Sequence, residues 1–237
     1  MSERSGSRGV LGRLRDAVCR VREDVAAIRD RDPAAGGTLD VLLFYPGMTA
    51  VWAHRVAHAL WRRNHRFGAR ALSHLVRLLT AVEIHPGAEL GRRVTIDHGA
   101  GVVVGETAEL GDDVHLYHGV TLGANRPQPG KRHPTVEANV VLGANSTVVG
   151  PVTVGERAVV GAGAVVTDDV PASATMVGNP AERVDGVRAV ADDDEGGAVG
   201  GAATADADGT DVGGADADGA GVDDDADSAS RAPFRCS

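Results

Sequence analysis

The sequence predicts an α+β protein: an N-terminal helical segment, a solenoid of short β-strands, and an acidic C-terminal tail expected to be disordered. Three observations carry this. Before residue 82, apolar residues recur at spacings of three and four, the period of an amphipathic helix. From Ile84 onward a small aliphatic residue recurs at every sixth position, and so short a fixed period marks a solenoid whose turns bury their apolar faces against one another. Residues 191–237 hold 13 acidic residues against 2 arginines, with isolated aliphatics only. The expected divisions are residues 1–82, 83–190 and 191–237.

The first helix is expected over residues 10–31, where Leu14, Val18, Val21, Val25 and Ile28 share a face, and Pro33 with Gly36-Gly37 stops it. Residues 39–45 read as a short apolar link ending at Pro46-Gly47. A second helix over 48–64 carries Val51, Val56, Leu60 and Trp61 on one side. A third over 70–82 carries Leu72, Leu75, Val76 and Leu79. The open end of a solenoid exposes apolar coil and unpaired strand edges, so these helices are expected to cap one end.

The repeat runs Ile84, Leu90, Ile96, Val102, then Leu110, Leu116, Leu122, then Val136, Leu142, Val148, Val154, Val160, Val166 and Ala172. An aromatic content of only 3% suits the narrow interior such residues build. Two steps break the period. Val102 to Leu110 is eight residues and holds Gly105, Glu106 and Thr107; Leu122 to Val136 is fourteen and holds Lys131-Arg132-His133. Loops leaving a rigid scaffold are where function concentrates. A further polar group, Asp97-His98, follows Ile96, and Glu83 precedes the first repeat. A carboxylate beside an imidazole holds one tautomer and makes a useful general base. Glu83 and His98 are fifteen residues apart, a little under one turn of three hexapeptides, so they are candidates for neighbours on adjacent turns.

The acidic tail cannot bury enough apolar surface to offset its ordering entropy. Its net charge is -11, which leaves about +2 on residues 1–190 out of -9 for the whole chain. A near-neutral body lacks the basic stripe of a nucleic-acid binder. No apolar run approaches the ~20 residues of a membrane span. The first nine residues hold no apolar segment of the signal-peptide kind. Cys19 and Cys236 lie far apart in no metal or redox spacing, which favours a reducing cytoplasm.

Five segments in order resemble serine acetyltransferases of the shorter bacterial type, members of the hexapeptide-repeat acyltransferases. They are Glu83-Ile84-His85-Pro86-Gly87-Ala88, Ile96-Asp97-His98-Gly99, Val104-Gly105-Glu106-Thr107-Ala108, Gly119-Val120-Thr121-Leu122-Gly123 and Gly130-Lys131-Arg132-His133-Pro134. In the helical part, Arg31-Asp32-Pro33-Ala34 and His54-Arg55-Val56-Ala57-His58 match as well, so the resemblance runs from about residue 10 to 186. It implies a left-handed parallel β-helix, a homotrimer or a dimer of trimers with active sites between subunits, and acetyl transfer from acetyl-CoA to L-serine, the first step of cysteine synthesis from serine. It implies His98 as base, Glu83 as its orienting carboxylate, and Asp32 and Asp97 on the amino group of serine. Arg132 would take the serine carboxylate, with His133 and Glu106 at the same site. Main-chain groups near Gly123, Ala144 and Ala162 would line the coenzyme groove. No metal is expected.

The sequence departs from the family in three places. Gly123-Ala124-Asn125-Arg126 stands where Gly-Gly-Thr-Gly is usual, with Arg126 a candidate for a CoA phosphate. His118 replaces a common glutamine. The chain ends Arg235-Cys236-Ser237 rather than in isoleucine, so a complex with cysteine synthase is not expected. The alternatives are an acetyltransferase of the same fold acting on homoserine or a sugar, a non-catalytic scaffold, and a trimeric β-helix carbonic anhydrase using His115 and His118 on zinc. The last leaves Asp32, Asp97 and Arg132 without a role.

Overall fold

The computed structural model describes residues 4–184; the tail expected over 191–237 lies outside them. Four helices come first: α1 (Arg4–Arg31), α2 (Thr38–Phe44), α3 (Pro46–Arg62) and α4 (Arg66–Thr80). The segment expected as a link is thus helical. Asp40 in its first turn complements the positive end of the helix dipole. Pro46 then opens α3 in the first turn, where an N–H would have no intrahelical partner. α4 stops at Ala81, which takes the left-handed conformation of a helix cap.

The strands that follow form three parallel stacks, the faces of a left-handed β-helix. The first face is Glu83–Ile84, Val103–Val104, Thr121–Gly123, Thr147–Val149 and Val165–Val166. The second is Glu89–Leu90, Glu109–Leu110, Thr135–Val136 and Thr153–Val154. The third is Thr95–Ile96, His115–Leu116, Val141–Leu142, Val159–Val160 and Thr175–Val177, closed by the antiparallel strand Glu182–Val184. The lead aliphatics Ile96, Leu116 and Val160 point inward, and so does the small residue two places before each: Val94, Val114 and Ala158. Most of the coil is thereby filled by pairs of modest side chains in successive layers.

The strand register corrects where the period breaks. Ile84 pairs with Val104, not Val102; Val102 occupies the inward position two residues earlier. The two extra residues therefore sit in the corner 97–101, not at Gly105-Glu106-Thr107. The long insertion falls after Gly123 as expected, since Leu122 pairs with Val104 on one side and Val148 on the other. A third irregularity lies in the last coil, where the six-residue count gives none. Val154 bridges to Val170 and Val160 pairs with Met176, so this last coil is two residues short and Ala172 is exposed.

The helices and the coil share one core, in which Val25, Ile28, Met48 and Val51 join Val82, Ile84 and Ile96. Buried Asp24 clamps α1 to α3 by accepting from Trp52 Nε1 at 2.9 Å and from both terminal nitrogens of Arg55. Such a pair holds only because every charge finds a partner. Ser73 Oγ donates to the Ile84 carbonyl at 2.7 Å, fixing α4 to the first strand. A Cβ on Gly47 would lie 2.1 Å from the Ile96 carbonyl oxygen, so glycine lets the start of α3 press against the coil where Asp97 and His98 begin. Among the described residues no helix is long and apolar enough to cross a membrane.

Candidate active site

Polar side chains gather on two edges of the triangular coil. The first edge joins the third face to the first. Its corners stack in register: Gly119 N–H donates to the Ala100 carbonyl, Asn145 N–H to that of His118, and Gly163 N–H to that of Ala144. Asp97-His98, His118, Ala144 and Ala162 therefore follow one another along a single edge.

His98 sits in the expanded corner with a φ of 58°, in the left-handed region that non-glycine residues seldom occupy. Gly99 beside it has a φ of 77°, and a Cβ there would fall 2.9 Å from Val82 Cγ2. The corner so turned projects the imidazole outward, with 75% of the side chain exposed and Nε2 3.7 Å from Asp97 Oδ2. The His118 ring lies edge-on to it, centroids 6.1 Å apart. Asp32 accepts hydrogen bonds from the Tyr45 hydroxyl and, at 2.8 Å, from Ala34 N–H. The Tyr45 bond chiefly, then the Ala34 bond, hold its carboxyl below the usual range, and the charge of His98 adds to this. Tyr45 is pushed well above its ordinary value by the same bond.

The second edge joins the first face to the second. Here the inserted loop returns over the corner 105–108. Thr107 is its anchor: Oγ1 accepts from Arg132 N–H at 3.0 Å and His133 N–H at 3.2 Å, and lies 2.9 Å from His133 Nδ1. Lys131 Nζ donates to the Thr107 carbonyl at 2.9 Å and pairs with Glu109 at 2.9 Å. The His133 ring packs against Gly105, where a Cβ would lie 2.0 Å from its Cδ2. Arg132 donates from Nη2 to Glu106, and that bond holds Glu106 below the usual carboxylate range. Burial, with Arg132 next, lowers His133. His85 completes the cluster, half-buried and lowered by desolvation. It is edge-on to Trp61 at 5.0 Å, near Arg70 Nη1 at 3.3 Å, and accepts at Nδ1 from Gly87 N–H.

The residues expected from the sequence thus fall into two groups in one chain. Asp32, Asp97 and His98 share the first edge, with Ala144 and Ala162 further along it. Glu106, Arg132 and His133 share the second, where Gly123 opens the loop. Glu83 begins the coil that the His98 corner closes, and its carboxylate is paired with Arg77 Nη1 at 2.9 Å. His115, paired with His118 in the zinc alternative, is buried with Nδ1 2.7 Å from Thr95 Oγ1. Among the described residues no group of three or more His, Cys, Asp or Glu is placed to hold a metal.

Sequence reasoning missed Tyr45, Thr107, Arg77 and His85 as members of these clusters. Thr107 had a signal, a hydroxyl next to Glu106 in an otherwise small-residue repeat. Tyr45 had only its place before Pro46, and helix contacts such as Arg77 to Glu83 leave no local pattern.

The chain matches two family profiles, "Serine acetyltransferase, N-terminal" over residues 4–53 and "Hexapeptide repeat of succinyl-transferase" over residues 135–168. It is 55% identical over 162 residues to a serine acetyltransferase of Mycobacterium tuberculosis, covering 68% of this chain and 71% of that one. The fold aligns with a Neisseria gonorrhoeae serine acetyltransferase solved in complex with serine, at a TM-score of 0.69, 40% identity and coverage of 71% and 69%. It also aligns with the Brucella abortus enzyme solved in complex with coenzyme A, at a TM-score of 0.68, 38% identity and coverage of 69% and 66%.

Proposed function

Since this chain belongs to the serine acetyltransferase family, we propose that it transfers the acetyl group of acetyl-CoA to the hydroxyl of L-serine, giving O-acetyl-L-serine and CoA, and that the two polar edges divide the work. His98 takes the hydroxyl proton as the serine oxygen attacks the thioester carbon. The tetrahedral intermediate collapses, the C–S bond breaks, and the proton returns from His98 to the departing thiolate. A serine hydroxyl is a weak nucleophile without such a base. The exposed, outward imidazole beside Asp97 supports this role for His98.

Asp32 and Asp97 would hold the ammonium group; the depressed carboxyl of Asp32 favours a charged partner there. Arg132 would take the serine carboxylate through its planar fork, in place of or beside Glu106, with His133 against the same substrate. Glu83 would orient His98 by turning its carboxylate toward that ring from Arg77, with which it is paired at 2.9 Å in this chain. Ala144 and Ala162, stacked with His98, would let the pantetheine arm run close to the main chain, and Gly123 would bound the groove at its other side.

The division of these residues between two edges is the observation that carries the assembly. One protomer offers the base at the first edge and Arg132 at the second, across the width of the first face. A trimer that sets the first edge of one subunit against the second edge of the next would close the site. Cytoplasmic location is the corresponding proposal, supported by an acetyl donor that is an intracellular thioester.

The test is thiol release from acetyl-CoA with L-serine, L-homoserine and a sugar panel in parallel. Release with serine alone is expected; release only with another acceptor overturns the substrate assignment.

A further inference from the structure

The first edge carries one group that the roles above leave idle. His118 lies in the corner 117–120, directly between the His98 corner and the Ala144 corner, as the backbone bonds Gly119 to Ala100 and Asn145 to His118 require. A thioester lying along Ala144 and Ala162 with its carbonyl at His98 must pass it. The His118 ring meets His98 edge-on at 6.1 Å and 72°. Its Nδ1 is buried with no hydrogen-bond partner, whereas Nε2 is outside that buried set. A neutral imidazole carries its one hydrogen on either nitrogen. A buried N–H with no acceptor is the costlier orphan, so the hydrogen belongs on Nε2.

We propose that His118 is a catalytic donor for acetyl transfer: its Nε2–H bonds to the thioester carbonyl oxygen and strengthens that bond as negative charge develops on the oxygen. This rests on the serine acetyltransferase assignment and adds the group that receives the oxyanion. The bond costs no proton transfer. The N–H stays on His118 throughout, while His98 alone carries the serine proton out and back.

The geometry also allows a lesser role, in which the ring merely packs against His98. Two substitutions separate them. His118→Gln keeps an N–H donor of similar reach and loses the aromatic ring; His118→Phe keeps the ring and loses the donor. With the full-length protein, kcat and KM for both substrates are measured, together with CoA affinity and thermal unfolding. His118→Gln is expected to hold kcat within a few-fold. His118→Phe is expected to lower kcat by roughly the 10²–10³-fold typical of a lost oxyanion donor, with CoA affinity and Tm close to the parent. A His118→Phe enzyme with near-parent kcat, or equal losses in both variants, overturns the donor. The unsubstituted protein is assayed alongside: if it shows no serine-dependent thiol release, the family assignment of activity fails and the donor with it, whereas an active parent with an active His118→Phe sinks only the donor.

Discussion

Arg132 donates through Nη2 to Glu106, a partner 26 residues earlier, and so holds the returning loop against the second edge of the coil. The pair is only partly exposed, with side chains at 24% and 35%. Its bond holds Glu106 below the usual carboxylate range, so the Arg132 guanidinium is oriented by a carboxylate before any substrate arrives. In the proposed role, the serine carboxylate would meet a guanidinium already fixed in place. Arg132→Ala should raise the KM for serine by about 10–100-fold, the worth of a charged hydrogen bond, with the KM for acetyl-CoA little changed. Lysine at 132 should restore only part, since it lacks the planar fork. An unchanged KM for serine would remove the loop from substrate binding.

His98→Ala should lower kcat by roughly 10²–10⁴-fold, as expected for loss of a general base. Acetyl-CoA binding, measured by calorimetry, should be close to the parent, because Ala144 and Ala162, the proposed coenzyme rail, are untouched. Near-parent turnover would take the role of base from His98.

Thr107 makes its contribution through the loop. Its hydroxyl gathers the N–H groups of Arg132 and His133 and meets His133 Nδ1. Thr107→Val keeps the shape and removes these partners, at about 1–3 kcal/mol if the N–H groups stay unpaired. The expected result is a KM for serine raised by about 5–100-fold, with thermal stability of the coil nearly unchanged. Equal damage to the KM for acetyl-CoA would mean that Thr107 supports the whole edge.

Much of this was legible in the sequence because a hexapeptide coil writes its interior at a fixed interval. Ile84, Leu110, Leu142 and Val160 read directly as inward positions, and the long break before Val136 gave the loop that carries Arg132. What escaped was register. Val102 and Val104 are both buried valines two residues apart, and a six-residue count accepts either. Only pairing across turns, Ile84 with Val104, moves the short insertion to the corner of His98. Ala172 failed for the same reason, because the shortened last coil places Val170 inside instead. Side-chain partners such as Tyr45 with Asp32 come from packing helices onto the coil, which no local period encodes.

Two buried histidines give a pH signature. Desolvation lowers His54 and His115 to about 4 each. Against an unfolded value near 6.5, the unfolded chain binds more protons between these limits. Stability is therefore unaffected above the unfolded value and falls as pH drops from about 6.5 toward 4, by roughly 2 kcal/mol per histidine at pH 5. Thermal unfolding should show Tm falling over that window with up to about two protons taken up. His54→Leu should remove about one of them. A Tm that is flat from pH 7 to pH 5 would mean the imidazoles are already solvated in the fold.

The separation of His98 and Arg132 onto different edges makes the proposed assembly testable without a structure of it. If each site takes His98 from one subunit and Arg132 from the next, His98→Ala and Arg132→Ala subunits are defective in different halves. In a closed ring with a heterologous interface, each site draws its two halves from two chains. Equal mixing before assembly gives four equally frequent combinations, of which one pairs an intact His98 with an intact Arg132. The mixture should recover roughly a quarter of the parent activity, although each variant alone is nearly inactive at limiting serine. Size measurement should return a trimer or a multiple of one. If each subunit instead held a complete site, no mixture could exceed the average of the two variants, and absence of recovery in verified mixed oligomers would return both halves to one chain.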